Sequence, residues 1–551
     1  MKRKLLAIIL ATTMVASLGA CGNETTTESK VTSNEKVETS ATTPEASEPA
    51  QEVYEAKYPI VDEPITIKGL VVDPDTTYSE DRLVWQKVSE ITGINIEWEF
   101  IDNDALNTYL ASNDWPDFIH NKLGSAVVND YGVLGGRFAN IADYLQYMPN
   151  LQKAFEDYPI AKGAMTEING EMYGLTTIER AATTVGNNRP YVRTDVLDKA
   201  GVKMPTTVDE FYQALVDLKA YYGEPAYVPN AKLISYWSPI IFAAFGTEVE
   251  MTYDNDSNGK VYSNYTSEQM RLFLEFMNKL YEEGLIHPEF LTLDKTVRLE
   301  LAKSGKVAFI GDSEGNNLQA KDFPDGEFHL DCGAPLTSEY DKTQTLQGNA
   351  GVGNGNRIYI NAQSEYVEEM CKMFDIMYAT EEVVEGSGLY GTSFCYGLEG
   401  VHWDFGPEGS GTYTFITPEK YDGAFTTFQC GELIWANLGR VDGLKGLVTD
   451  TVSNNRARQL GFVNNVLPYM EDDCFPISYL KFTEDEQYVL DNRLTDINEY
   501  VLSMKGKFVT GAADIATEWD AYCKHLNDLG LPEVIEVYQA SYDRWVDALA
   551  Q

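Results

Sequence analysis

Leu18-Gly19-Ala20-Cys21 is the first stretch whose residue types and order imply a reaction. Small residues admit a signal peptidase to the bond before the cysteine, and the thiol then becomes the acylation site. Upstream, Lys2, Arg3 and Lys4 precede a mostly apolar run from Leu5 to Ala16, which is short for a membrane span. Residues 1–20 therefore read as a lipoprotein signal peptide and Cys21 as the lipidation site. A second motif, Asp254-Asn255-Asp256-Ser257-Asn258-Gly259, matches the first half of a calcium loop. Its twelfth position is Tyr265, where a bidentate Glu would be required. The flanks, Thr252-Tyr253 and Lys260-Val261-Tyr262, instead predict a β-hairpin.

Catalytic constellations are hard to find. The five histidines, His120, His287, His329, His402 and His525, sit in no metal spacing, and neither a GxSxG elbow nor a Walker loop occurs. Gly351-Val352-Gly353-Asn354-Gly355 lacks the strand-turn-helix setting of a phosphate loop. With 85 carboxylates a glycosidase pair can always be imagined, because the needed separation is a property of the fold. Besides Cys21 there are cysteines at 332, 371, 395, 430, 474 and 523, none in a CxxC pair. Buried free thiols are favoured over disulfides, and no catalytic residue, metal or cofactor is expected.

The elements that would position a site follow from composition and periodicity. The 551 residues carry 42 Lys plus Arg against 85 Asp plus Glu, a net charge of −43 that argues against a nucleic-acid binder. Apolar residues make up 44% and aromatics 12%, enough for sizeable cores. From Gly22 to Lys57 the chain is rich in Thr, Ser, Glu and Pro and reads as a disordered tether. From Tyr58 strands alternate with amphipathic helices. Ile65–Val72 is a β-branched run, Leu83 to Ile91 a helix ended by Gly93, and Ile94–Phe100 a second strand. A helix near 105–111, the strand Asp117–His120 and a helix from Gly124 repeat the pattern. Alternation of this kind predicts an α/β fold with a mainly parallel sheet, in which loops after the strand carboxyl ends line the ligand crevice. Asp73, Asn121 and Lys122 fall in such loops. Further on, Thr207 and Glu210 form a capping box, Gly305–Gly311 a glycine-bounded strand, and Arg357–Ile360 a strand followed by the helix Tyr366–Ala379. A helical tail opens at a second capping box, Thr483 and Glu486.

Six fragments in order carry a family resemblance: Trp85–Ile94, Trp115–Ile119, Ile168–Leu175, Tyr191–Gly201, Leu280–Phe290 and Ala540–Trp545. Behind a lipobox and an acidic tether, the chain resembles the family 1 extracellular solute-binding proteins of ABC transporters, in their long lipoprotein branch for oligosaccharides. The likeness runs over nearly all of the mature chain. It implies a two-lobed, periplasmic-binding-protein-like (type II) fold in which a carbohydrate is held in an interlobe cleft by hinge closure. Lobe one is expected at 58–179 plus 331–380, and lobe two at 187–324 plus about 400–551. Crossings are expected near Glu179 to Asn188, near Phe323 to Pro335, and between Gly386 and Gly411. The implied partners are an oligosaccharide or other small carbohydrate, the permease subunits, and a membrane reached through the lipid on the extracellular face; the chain itself is expected to be monomeric. A surface glycoside hydrolase or lyase, and the same fold binding a peptide, remain alternatives.

Sugar recognition needs aromatic faces for the apolar side of a pyranose and planar polar groups for its hydroxyls. Maltose-binding relatives place cleft aromatics before the helix that here begins after Ser235-Tyr236-Trp237. Tyr236 and Trp237 are thus the stacking candidates, with core packing as the alternative for each. Asp312 and Ser313 follow a strand of lobe two in a loop that faces ligand in the resemblance. Trp403 and Trp435 lie in turn-rich sequence, and Glu179 and Arg180 lie near the hinge. Arg193 is placed either to bind ligand or to brace its lobe, with bracing favoured. Many relatives carry an Asp-Asn-Gly-rich calcium loop at the place occupied here by Tyr221–Tyr227, which lacks the ligand spacing.

Overall fold

The computed structural model describes residues 54–550 apart from 73–82, 113, 122, 180–188, 235–236, 247–251, 312–317, 319–322, 324–327, 344–345, 348–351, 353–356, 408–411, 417–438, 442–447, 450–459 and 472–474. Cys21, Asp73, Lys122, Arg180, Tyr236, Asp312, Ser313 and Trp435 lie outside the described residues. Residues 54–551 form one compact unit.

The first sheet grows from the β-branched runs. Strand β1 (Ile65–Val72) pairs in parallel with β2 (Ile94–Ile101) along its full length, and on its other side with β3 (Phe118–Asn121). Between β1 and β2 runs the helix Leu83–Thr92, whose Val84, Trp85 and Val88 are buried. It stops where Gly93 takes φ +77°, a conformation L side chains rarely adopt. The sheet order is β2-β1-β3, then an antiparallel strand at Arg357–Ile360, then β4 (Gly174–Leu175). Four of the five strands therefore point the same way. Apolar side chains on the two faces form separate clusters, one around Ile67, Val71, Phe118 and Ile358, the other around Leu70, Val72, Ile119 and Tyr359.

After β5 (Ile178–Glu179), β6 (Tyr191–Arg193) begins a second sheet, with β7 (Tyr227–Pro229) on its far edge. The expected hairpin is present: β8 (Tyr253–Asn255) pairs antiparallel with β9 (Val261–Ser263). Asp256 Oδ1 accepts the Asn258 and Lys260 amides, so this carboxylate closes the turn. Strand β10 (Phe309–Gly311) is parallel to β7 and antiparallel to β6, and β11 (Leu330–Cys332) completes the order β11-β6-β10-β7. Asp331 and Cys332 open the stretch 331–380 expected in lobe one, and all three residues of β11 fall in the stretch Phe323 to Pro335 expected to hold a crossing. The strand pairs with β6, and Leu330 and Cys332 are buried among second-sheet side chains. β12 (Leu346–Gln347) pairs with Met470–Glu471, and β13 is Arg357–Ile360.

Helix ends follow local chemistry. Thr483 and Glu486 make the full capping box that starts the helix Glu484–Thr510. At the other predicted box Thr207 Oγ1 accepts the Glu210 amide at 3.1 Å, but the Glu210 carboxylate reaches Thr206, at its amide (2.8 Å) and hydroxyl (2.7 Å). The helix Val208–Tyr222 thus begins with half a capping box and a clamp one residue upstream. The helices Glu484–Thr510, Ile515–Asp528 and Leu531–Ala550 bury Ile497, Tyr522, Val534 and Tyr538 in the second-sheet core. Trp403 and Tyr413 share a small third cluster with Tyr390, Cys395 and Val441. Cys332, Cys371, Cys395 and Cys523 are free thiols, the first three buried. No described helix is long and apolar enough to cross a membrane.

Candidate functional site

Three chain segments lie side by side at the edge of the first-sheet core, which buries Ile178 and Val352. Ile178 of β5 bridges Val352 on one side, and on the other β5 runs parallel to Arg440–Val441. Crossings were expected near Glu179 to Asn188, near Phe323 to Pro335 and between Gly386 and Gly411; the segments paired here are Ile178–Glu179, Val352 and Arg440–Val441. Glu179 has its backbone in this trio, paired with Val441.

The parallel strands place their carboxyl ends in register. β1 ends at Val72 and β3 at Asn121, and Arg357 at the start of β13 lies opposite Asn121. Asn121 therefore ends its strand at the carboxyl edge of the first sheet, half-buried. His120, one residue earlier, is fully buried, and desolvation pushes its imidazole down to about 3, so it stays neutral and structural. In the second sheet β10 ends at Gly311 opposite Pro229 of β7. A Cβ at Gly311 would stand 2.1 Å from the Val228 carbonyl oxygen, so only glycine allows the two strand ends this approach. Asn230, next after Pro229, was not singled out from the sequence. Its carbonyl accepts the Leu233 amide at 3.1 Å, and Leu233 takes φ 55°, strained for a leucine. The available signal was an apolar run ending in Pro-Asn, the same strand-end rule that selected Asn121.

Two aromatic expectations are corrected. Trp237 has no exposed surface. Its ring stacks on Phe211 (5.3 Å between centroids, 26°) and meets Phe309 edge-on, while its indole N–H donates to the Tyr191 carbonyl at 2.9 Å. No face is left for a sugar, so Trp237 is a core residue of the second lobe. Trp403 is equally buried, donates to the Gly397 carbonyl at 3.0 Å and packs against Tyr390 and Phe405. Both tryptophans bury more than 150 Å² if typical of their kind, and a neighbouring carbonyl satisfies the N–H. Arg193 braces, as read: it is buried, forms a forked contact with Asp195 at 2.8 and 2.6 Å, and lies over the rings of Phe323 and Phe328. Among the described residues no group of three His, Cys, Asp or Glu gathers as a metal site.

Two sheets with separate cores, joined by side-by-side crossing segments and ending their strands at ligand-crevice positions, define a two-lobed type II solute-binding fold. Solved structures agree. The chain superposes on a human-milk-oligosaccharide (HMO)-binding, ABC-transporter-associated solute-binding protein from Bifidobacterium longum infantis with TM-score 0.66, at 20% identity over 88% of this chain and 99% of that one. An EF-hand mutant of Streptococcus pneumoniae FusA in complex with fructo-nystose gives 0.58 at 21% identity, over 88% of this chain and 100% of that one. Residues 73–384 match the model of the bacterial extracellular solute-binding protein family, and the chain belongs to that family. Along the sequence it is 24% identical to the fructooligosaccharide ABC transporter substrate-binding protein FusA of S. pneumoniae, over 98% of this chain and 97% of FusA. It is 30% identical to lipoprotein LipO of Bacillus subtilis over a segment covering 38% of this chain and 42% of LipO.

Proposed function

We propose that this protein captures an oligosaccharide between its lobes and delivers it to the permease of an ABC transporter, without cleaving it, while a lipid on Cys21 holds it at the outer face of the membrane. The observation that carries the reading is the end-to-end similarity to a fructooligosaccharide-binding transporter subunit, 97% of which is covered. The polar residues assigned to sugar hydroxyls in this reading are Asn121 and Asn230 at strand ends, Asp73, Lys122, Asp312 and Ser313 close to strand ends in sequence, and Glu179 and Arg180 at the first crossing, with Tyr236 and Trp435 as the remaining aromatic candidates. Arg193 is held by Asp195, which removes one cation from those that could select an acidic glycan. The chain acts as a monomer in this reading.

The test is a thermal-shift panel on the mature chain carrying Cys21→Ser, with fructooligosaccharides, milk-type oligosaccharides, N-glycan fragments and uronate oligomers. A ligand bound only by the native state raises the melting temperature, by ~2.7 kcal/mol of stabilisation at a hundredfold excess over Kd. One glycan class should stabilise the protein and be recovered intact by chromatography. Product formation would replace the reading with an enzyme, and a panel without any shift would replace it with a non-sugar ligand.

A further inference from the structure

Most of the sequence fragments that carry the family resemblance build strands or cores. Two of them, Ile168–Leu175 and Ala540–Trp545, instead line one groove and are linked there through Glu167 and Lys481. The loop before β4 is tightened by the Glu167 amide donating to the Glu171 carbonyl at 2.8 Å and by Gly170 at φ +83°. It presents Glu167, whose side chain is 11% exposed, to Lys481 Nζ at 2.8 Å and to Arg357 Nη1 at 3.8 Å. Lys481 lies in a seam. Tyr479 is buried in the first-sheet core and donates to the Val352 carbonyl at 2.6 Å, while Leu480, next in the chain, is buried in the second-sheet core. The Lys481 carbonyl is held in turn by Ser541 Oγ at 2.7 Å and Arg544 Nη2 at 2.9 Å, from the C-terminal helix. That helix crosses the helix Pro159–Met165 at Gly163, where a Cβ would come within 2.8 Å of the Trp545 indole nitrogen. A groove of about 550 Å³ lies along this contact, lined by Lys162, Glu167, Lys481, Arg544 and Trp545.

We propose that Glu167 is the shared carboxylate of an interlobe clasp, hydrogen-bonded to Lys481 and ion-paired with Arg357, that sets the equilibrium between open and closed arrangements of the lobes. The inference rests on the reading of the protein as a binder that closes on its ligand. The physical basis is that each lobe has its own core and turns about three short crossing segments. The Glu167–Lys481 contact sits beside the crossing at Val352, to which Tyr479 is bonded, and joins the first lobe to a segment held by the C-terminal helix, so a rotation of one lobe against the other acts on it. Burial pulls the Lys481 ammonium below its usual pKa, and Glu167 opposes that pull, so the pair is a charge interaction that a change of geometry would weaken. A clasp of this kind changes affinity without touching sugar, because the apparent Kd scales with the inverse of the binding-competent fraction.

The experiment uses the mature chain with one spin label in each lobe and compares Glu167→Gln and Lys481→Gln with the parent, first without sugar. Both variants should shift the interlobe distance distribution in the same direction. With whichever glycan the panel identifies, or 1-kestose as the first probe, both should change the apparent Kd at least threefold in one direction. Circular dichroism melts establish that each variant is folded, and Lys481→Gln, the more exposed of the two sites, decides alone should Glu167→Gln fail to fold. Unchanged distances in both variants, or shifts of opposite sign, would overturn the clasp. Because the sugar-free distances decide it, a failure of the carbohydrate reading would be recognised separately, as absent glycan binding with the clasp effect intact.

Discussion

Replacing Trp237 by Ala separates a core role from a ligand role. The side chain is fully buried between Phe211 and Phe309 and ties Tyr191 of β6 to the helix Trp237–Ala243 through its N–H. Truncation removes the transfer energy of the ring and leaves a cavity, together costing about 3–5 kcal/mol. Loss of the N–H bond adds roughly 1 kcal/mol, because the Tyr191 carbonyl loses this donor in a dry setting. Against the ~5–15 kcal/mol that holds a typical native state, this is a large share of what stabilises the second lobe. Urea unfolding followed by circular dichroism at 222 nm would show an early transition for that lobe in Trp237→Ala. Trp237→Phe, which keeps most of the ring, would lie between the variant and the parent. Sugar affinity, measured on the folded fraction well below the transition, should be unchanged within a factor of about three. A stable Trp237→Ala protein, within ~1 kcal/mol of the parent, that had lost 1–3 kcal/mol of sugar affinity would refute the packing argument and restore Trp237 as a stacking platform.

Two further substitutions test the energetics of the second lobe. Asp195→Ala leaves the guanidinium of Arg193 buried without its forked carboxylate, at side-chain exposures of 2% and 3% for the pair, and should cost about 3–5 kcal/mol in urea unfolding. The double change Arg193→Met with Asp195→Leu should cost markedly less, and equal costs would mean the pair contributes only volume. Lys505 is 3% exposed in the helix Glu484–Thr510, and burial pulls its ammonium down to about 8. The native state thus releases its proton before the unfolded chain does, so this group's contribution to stability rises between about pH 8 and the ordinary lysine value near 10.4. Lys505→Met should stabilise the protein at pH 7 by on the order of 3 kcal/mol, at 1.36 kcal/mol per pKa unit, and flatten that alkaline rise. A destabilised Lys505→Met would show that the ammonium has a favourable partner after all, the ring of Tyr265 at 5.8 Å being nearest in kind.

Local signals were read correctly where the physics is local. The β-branched run Ile65–Val72, the stop at Gly93, the turn chemistry of the hairpin around Asp256, and the Thr483–Glu486 box each depend on residues within one turn or one strand pair. The bracing role of Arg193 was also legible, since a cation two residues before an acid at a strand end has a partner at hand. Trp403 failed for the opposite reason. Its turn-rich surroundings suggested exposure, yet Tyr390, Cys395 and Val441, the last from nearly forty positions downstream, converge to bury it. Glu210 shows the limit at its finest, since a spacing rule cannot tell whether the carboxylate will cap Thr207 or swing back to Thr206.

Periodicity, strand ends and fragments contiguous in the chain are enough to read the alternation of strands and helices, the mainly parallel first sheet and the family. That Leu330–Cys332 joins the second sheet, that Trp237 faces inward and that Glu167 meets Lys481 became legible only in the folded chain. Each of those outcomes depends on which distant surfaces come together. Glu167 and Lys481 are 314 positions apart, and at that separation no spacing rule links a carboxylate to the ammonium that will neutralise it.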